Sequence, residues 1–362
     1  MRARRRRGQP RPADTATEPA SLASASPPPA APATTVIAAA RLLAEPATLA
    51  ALAARLAAGE LVGVPTETVY GLAADATSEA GVAAIFRAKG RPALNPLIVH
   101  LASADEAGRY AVVDATAARL AAAFWPGPLT LVLPRRVDCP VAAAATAGLP
   151  TIALRVPDAP SVAALVRALG RPLAAPSANR SGRISPTRAE DVVAELGPAL
   201  AAVVDAGPCR IGVESTIVDL SGEAPRLLRP GGLPAEAIEA VLGLPLERPG
   251  ADPDRPVAPG QLASHYAPRA RVRLDARRVE PGEALIAFGA ALPPGAADAA
   301  AVINLSPAGD VGEAARNLFA ALRALDATGA ATIAVAPLPR GGLGEALADR
   351  LARAAAPRPD GC

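Results

Sequence analysis

Residues 89–100 read KGRPALNPLIVH, and this stretch decides the first half of the chain. The preceding SEAGVAAIFRAK (78–89) has helical spacing, and Gly90 supplies a stop signal. PLIVHL (96–101) then reads as a buried strand with His100 near its end. The helix therefore delivers Lys89 to the mouth of a strand. Lys89 is the chain's single lysine, and His100 and His265 are its two histidines. Lys and Arg total 37, so a lysine persists here against a strong bias toward arginine. Arg is a planar fork and Lys a compact point charge, so Lys89 reads as a position that Arg cannot fill.

Outward from this stretch the text continues to alternate. A helix is expected over 47–58, ended by Gly59, and strands over 61–64, 130–134 and 151–156. A helix over 160–169 precedes a strand running into a loop at 172–179. Residues 187–196 open on an apparent capping box, Thr187 to Glu190. Three more strands are expected between about 202 and 230. This is an α/β or α+β sheet domain over 41–243. Residues 244–268 are rich in Pro and Gly and read as a linker. Over 269–356, strands at 270–274, 284–288, 301–304 and 331–336 alternate with helices at about 310–326 and 343–355. That pattern predicts a small Rossmann-like parallel unit, without a GxGxxG loop.

Composition narrows the class. The chain of 362 residues is 51% hydrophobic but only 2% aromatic, so its cores are built from Ala, Val, Leu and Ile. No apolar run reaches the length of a membrane span. Three distant cysteines and two histidines make a zinc site unattractive and fit a reducing, cytoplasmic setting. Residues 1–40 carry a net +4 and the whole chain +3, which leaves −1 for the remainder. The body is therefore not a basic nucleic-acid-binding surface, and the Pro-rich segment 1–40 reads as a disordered tail with at most weak RNA contact.

Polar islands interrupt the apolar text: PTETVYGLAADA (65–76), the 89–100 stretch, FWPGPLT (124–130), TIALRVP (151–157), APSANRSGRISPT (175–187), GVESTIVD (212–219) and LLRPGG (227–232). Each alone has a plain reading. Arg155 can snorkel from a strand edge, the Ser/Asn loop can be turn chemistry, Glu67 and Asp75 can be solvated loop acids, and His100 can be a satisfied core histidine. Taken together they describe a site for a polyphosphate and a carboxylate. No Walker A loop or kinase signature is present.

In this order the islands resemble the YrdC-like family, in the long, two-domain form whose linker ends in HYAP. The resemblance spans roughly 45–355 and implies a twisted open sheet with a concave, positively charged cleft. The implied activity is synthesis of L-threonylcarbamoyladenylate from L-threonine, bicarbonate and ATP, with Mg²⁺ on the triphosphate and release of pyrophosphate. The product would pass to a separate tRNA threonylcarbamoyl transferase complex for N6-threonylcarbamoyladenosine formation. By the same resemblance Thr68, His100, Arg155, Ala175 and Ser215 form the threonine pocket, with Arg155 clamping its carboxylate. Arg91, Asn95, Thr151, Ser177, Asn179, Ser185, Arg229 and Tyr266 contact ATP, and Lys89 with Arg91 neutralises developing phosphate charge. The family's SPGMxxxHYAP reads APGQLASHYAP here, so Ala258 and Gln261 depart from the pattern. Competing readings are an RNA-binding module of the same fold, a carbamoyltransferase and a purely structural protein.

Overall fold

The computed structural model describes residues 34–249 and 264–357. Among them, ten strands form one mixed sheet: β1 (Thr35–Ala38), β2 (Val62–Val64), β3 (Gly71–Asp75), β4 (Ile98–His100), β5 (Leu129–Pro134), β6 (Thr151–Arg155), β7 (Leu173–Ala174), β8 (Ala202–Asp205), β9 (Thr216–Asp219) and β10 (Arg226–Arg229). Their order is β1-β8-β2-β3-β7-β4-β6-β5-β9-β10. Pleating explains why single polar residues stand in apolar strands. Parallel pairing of β4 with β6 sets His100 opposite Arg155 and Ile98 opposite Ala153. On that face Ile98 and Ala153 join Val132, Ile217 and Leu228 in a small apolar cluster. The other face sends Val99, Leu131, Leu154 and Val218 into the main core. Arg155 thus belongs to the cleft face of a strand whose next-door Leu154 belongs to the core.

The second sheet holds β11 (Arg271–Arg273), β12 (Ala284–Ala287), β13 (Ala301–Asn304) and β14 (Thr332–Val335), ordered β11-β14-β12-β13 with every pairing parallel. Helices Val311–Ala327 and Leu343–Ala355 cover it. Its core does not close by itself. Val69, Ile184 and Val213, from loops of the first sheet, pack into one cluster with Leu318, Phe319 and Tyr266.

Several elements differ from the sequence reading. Residues 35–40, expected in the tail, form β1 and the start of helix Ala39–Ala44, because β1 finds a parallel partner in β8. Residues 71–75, read as a polar loop, are a fully buried strand between β2 and β7. The strand expected over 172–179 is only Leu173–Ala174. The Thr187–Glu190 capping box does not form. The helix begins at Ala189 with no side-chain cap, and Thr187 N–H donates to Asp191 Oδ2 at 3.4 Å. Helices Ala115–Phe124 and Ala235–Leu242 were not among the expected elements. Most of the linker, including Ala258 and Gln261, lies outside the described residues.

Gly212 marks how closely the two sheets' elements approach. Its φ is +84°, and a Cβ there would lie 2.4 Å from Arg316 Cα and 2.5 Å from the Ala315 carbonyl oxygen. Gly212→Ala is expected to lower unfolding stability by roughly 2–4 kcal/mol, from left-handed strain plus overpacking. Gly207 has a similar φ of +75° and open space around its Cβ position, so Gly207→Ala should cost only the strain, about 1–2 kcal/mol. Denaturant midpoints of the two variants check the difference.

Candidate functional site

Helix Glu79–Lys89 starts where Ser78 Oγ accepts the Gly81 N–H at 3.1 Å and stops at Gly90, whose φ is +59°. Its last residue, Lys89, is 3% exposed. The ammonium donates to the main-chain carbonyls of Ser177 and Asn179, and the Lys89 carbonyl accepts from Ser181 N at 2.8 Å. Burial, and then the neighbouring Arg91 charge, hold this ammonium well below the usual lysine value. Lys89 therefore fastens the Ser177–Ser181 loop to the helix end and stands behind the cleft wall.

Arg91 donates to the Asn95 carbonyl at 3.1 Å, to Asn95 Oδ1 at 2.7 Å and to the Pro96 carbonyl at 2.9 Å. Burial and then Arg229 push its guanidinium down to about 10. Thr151, at the start of β6, pairs with Pro134 of β5. Arg229, at the end of β10, donates to the Ser215 carbonyl at 2.9 and 3.2 Å and to Ser215 Oγ at 3.2 Å. Ser215 Oγ lies 2.8 Å from Thr130 Oγ1. The two guanidiniums thus approach one space from different elements.

Arg155 occupies the other end. Its Nε donates to the Gly127 carbonyl at 3.2 Å, so the FWPGPLT turn is a support for this side chain. Its Nη2 lies 2.8 Å from Glu67 Oε1, both side chains being buried. That approach is a charge contact without hydrogen-bond alignment. Neither Glu67 oxygen nor Arg155 Nη2 has a hydrogen-bond partner among the described residues. Glu67 and Asp75 are thus not solvated acids: Asp75, fully buried, pairs with Arg171 at 2.6 Å. Thr66 Oγ1 and Thr68 Oγ1 lie 2.8 Å apart beside Arg155's cleft. Burial, and then the Arg155 charge, push His100 down to about 3, so its ring is neutral.

The HYAP segment closes the space. Tyr266 adopts a φ of +60°, is 1% exposed and stacks on Phe319 with ring centroids 5.5 Å apart. Its hydroxyl and His265 Nδ1 have no hydrogen-bond partner among the described residues. His265 N–H donates to the Arg353 carbonyl at 3.2 Å, and Ala267 N–H to the Gly182 carbonyl at 2.9 Å. The segment is thereby pinned to both the last helix and the Ser/Asn loop. Burial brings His265 to about 3, against a raising effect from Glu214.

These groups surround one cleft. Of the residues expected from the sequence, Thr68, Arg91, His100, Arg155, Ala175, Ser177, Ser215, Arg229 and Tyr266 line it. Lys89, Asn95, Thr151, Asn179 and Ser185 do not. Asn95 anchors Arg91, and Asn179 Nδ2 binds the Arg180 and Arg183 carbonyls, shaping its own loop. Ser185 Oγ donates to Glu214 Oε1 at 2.5 Å. Sequence reasoning missed Thr66, Glu214 and His265 in the lining, and Glu67 and Arg350 behind it. Thr66, Glu67 and Glu214 sat inside the quoted islands, whereas Arg350 lies in an ordinary amphipathic helix that gave no signal.

The telomere-recombination family model (Sua5/YciO/YrdC) matches residues 54–231, and the model of the threonylcarbamoyl-AMP synthase C-terminal domain matches 233–356. Threonylcarbamoyl-AMP synthase of Pyrococcus abyssi is 44% identical over 315 residues, which cover 82% of this chain and 90% of the relative. The Bacillus subtilis synthase is 46% identical over 230 residues, 61% of this chain and 65% of the relative. The solved structure of P. abyssi Sua5 complexed with L-threonine is similar at a TM-score of 0.79 and 38% identity, covering 89% of this chain and 97% of that one.

The geometry of Lys89 predicts that Lys89→Arg keeps the fold and displaces the Ser177 loop, because a fork cannot fill a site shaped for a point donor. Catalytic turnover should fall by about 2–4 kcal/mol of barrier, comparable to losing one preorganised donor; near-normal turnover would contradict this. The histidines give a second expectation. Both have folded values near 3 against 6.5 for the free group, so the unfolded chain binds their protons first. Stability is complete above pH 6.5 and falls as pH drops toward 3, by about 1.4 kcal/mol per pH unit per histidine. Denaturant titrations at pH 7, 6 and 5 should show the slope, and His100→Gln should reduce it.

Proposed function

Because this chain belongs to the Sua5/YrdC family of threonylcarbamoyl-AMP synthases, we propose that it joins L-threonine, bicarbonate and ATP into L-threonylcarbamoyladenylate, releasing pyrophosphate. The observation that carries this reading is one cleft with two differently built cationic ends. Arg91 and Arg229 bring two guanidiniums to one end of the cleft and suit a triphosphate. Arg155, oriented by Glu67 and Gly127 beside the Thr66 and Thr68 hydroxyls, suits an amino-acid carboxylate and side-chain hydroxyl. The relative solved with L-threonine supports an amino acid as a ligand.

The amine of threonine adds to CO₂ and loses a proton to give a carbamate (from bicarbonate, water leaves instead), and a carbamate oxygen attacks the α-phosphorus and expels pyrophosphate. This chain supplies position and charge. Arg91 and Arg229 meet the charge on the departing phosphates, and Lys89 holds the loop that presents Ser177. His100 is neutral, so it neither adds charge nor competes for the threonine carboxylate. Cys209, pushed up to about 12 by burial, stays a thiol and gives no covalent path. Tyr266 and His265 cover the carbamate, which water would otherwise destroy. Mg²⁺ enters on the ATP phosphates as part of the substrate. Among the described residues no three His, Cys, Asp or Glu gather to hold it separately. The product then serves tRNA N6-threonylcarbamoylation by a transferase complex in the cytoplasm.

Incubation with threonine, bicarbonate and Mg-ATP, followed by mass spectrometry, should reveal the adenylate only when all three are present. ATP hydrolysis without adenylate would reject the reading, and retention of tRNA across a salt series would favour the RNA-binding alternative. Within the reading, Arg155→Ala should weaken threonine by about 2–5 kcal/mol and leave ATP affinity nearly unchanged. Calorimetry with each substrate separately checks this, and equal losses would make Arg155 a fold residue.

A further inference from the structure

Two threonine hydroxyls meet at the wall of the cleft, and the hydrogen bonds around them fix which one donates. Thr66 and Thr68 are both buried, and both line the cleft. Thr66 Oγ1 accepts the main-chain N–H groups of Thr68 and Val69, each at 3.2 Å. Its single proton goes to the Val69 carbonyl at 2.6 Å, because a carbonyl can only accept. This is the local turn that a threonine side chain makes with the backbone just ahead of it. Thr68 Oγ1 lies 2.8 Å from Thr66 Oγ1, a distance that calls for a proton between the two oxygens. The reverse assignment would aim the Thr66 proton at Thr68 and leave the buried Val69 carbonyl against a bare oxygen. Thr68 is therefore the donor of the pair, and toward the cleft it offers only lone pairs.

A wall that can only accept selects a ligand group that can donate. Arg155, in the same cleft, has the opposite polarity and can only donate. Threonine carries groups for both: its carboxylate accepts and its hydroxyl donates. Its amine donates too, but that nitrogen loses a proton and bonds to carbon in the reaction. The hydroxyl is the donor that the reaction leaves unchanged. We propose that Thr66 is a positioning residue for substrate selection: by taking the Thr68 proton, it makes the Thr68 hydroxyl an acceptor for the O–H of the substrate's side chain. The proposal rests on the threonine reading above and deepens it, because it says which group of the amino acid is selected and what sets the selection. An amino acid of the same shape without that O–H leaves a buried oxygen without its bond. A site built in this way rejects such an analogue more strongly than a purely apolar pocket rejects a changed methylene.

The test titrates the full chain calorimetrically with L-threonine and with the analogue in which fluorine replaces the side-chain hydroxyl at the same configuration. Fluorine is of similar size and cannot donate. Wild type should prefer threonine by roughly tenfold to a hundredfold. Thr66→Val keeps the shape and removes the acceptor, so Thr68 can turn its own proton into the cleft. The preference should then shrink by about fivefold or more, with Mg-ATP affinity little changed. Thr66→Ser should keep the wild-type preference. An unchanged preference in folded Thr66→Val, its loss in Thr66→Ser, or a weakening of Mg-ATP as large as that of threonine overturns the proposal. Equal binding of both amino acids by wild type also overturns it, since Thr68 would then meet the amine. Should Thr66→Val fail to fold, Thr66→Cys decides by the same ratio, because a thiol accepts a hydrogen bond only weakly. Wild-type protein that binds neither amino acid would instead refute the functional reading on which the proposal rests.

Discussion

A lysine ammonium buried on two main-chain carbonyls is the constraint around which the cleft is built. Among the described residues, Lys89 has no ion pair with a carboxylate. Burying a charge on neutral oxygens is costly unless the geometry is tightly defined. Here the helix end, the αL stop at Gly90 and the Ser177–Ser181 loop define it. Once the loop is set, Ser177 reaches the cleft and Gly182 receives Ala267, so the covering segment is placed by the same contact. Arg91, two residues beyond Lys89, adds a second cation that its neighbours solvate but do not neutralise.

Arg91 and Arg229 thus bring two guanidiniums to one end of the cleft. That is the arrangement expected of a site which stabilises charge developing on phosphate oxygens with groups already in place. The second sheet is part of this arrangement. It takes Val69, Ile184 and Val213 into its core, presses helix backbone against Gly212 and supplies Arg350. Tyr266, which lines the cleft, shares a core cluster with residues of both sheets.

Many strands and helices were legible from the sequence, and so was part of the cleft's lining, though Lys89, Asn95, Thr151, Asn179 and Ser185 stand outside it. Arg155 stood out as a cation among apolar residues because pleating assigns alternate positions to different faces. The C-terminal βα alternation was equally plain, because both sides of a parallel sheet must be covered. Less was legible where meaning depends on a distant partner. β1 exists because β8 is beside it, and β3 because β2 and β7 flank it. Glu67 looked like a solvated acid because nothing local reveals Arg155. Arg350 looked like any helix arginine, and only the tertiary fold turns it onto Glu214. Lys89 was recognised by its rarity, yet its carbonyl ligands lie 88 and 90 residues away.

A crystal structure with L-threonine and a non-hydrolysable ATP analogue tests the central claim most directly. The account predicts the triphosphate against Arg91 and Arg229, the threonine carboxylate on Arg155, and Glu214 still held by Arg350 beneath Tyr266. Phosphates bound away from Arg91 and Arg229, or a threonine carboxylate bound away from Arg155, would contradict it.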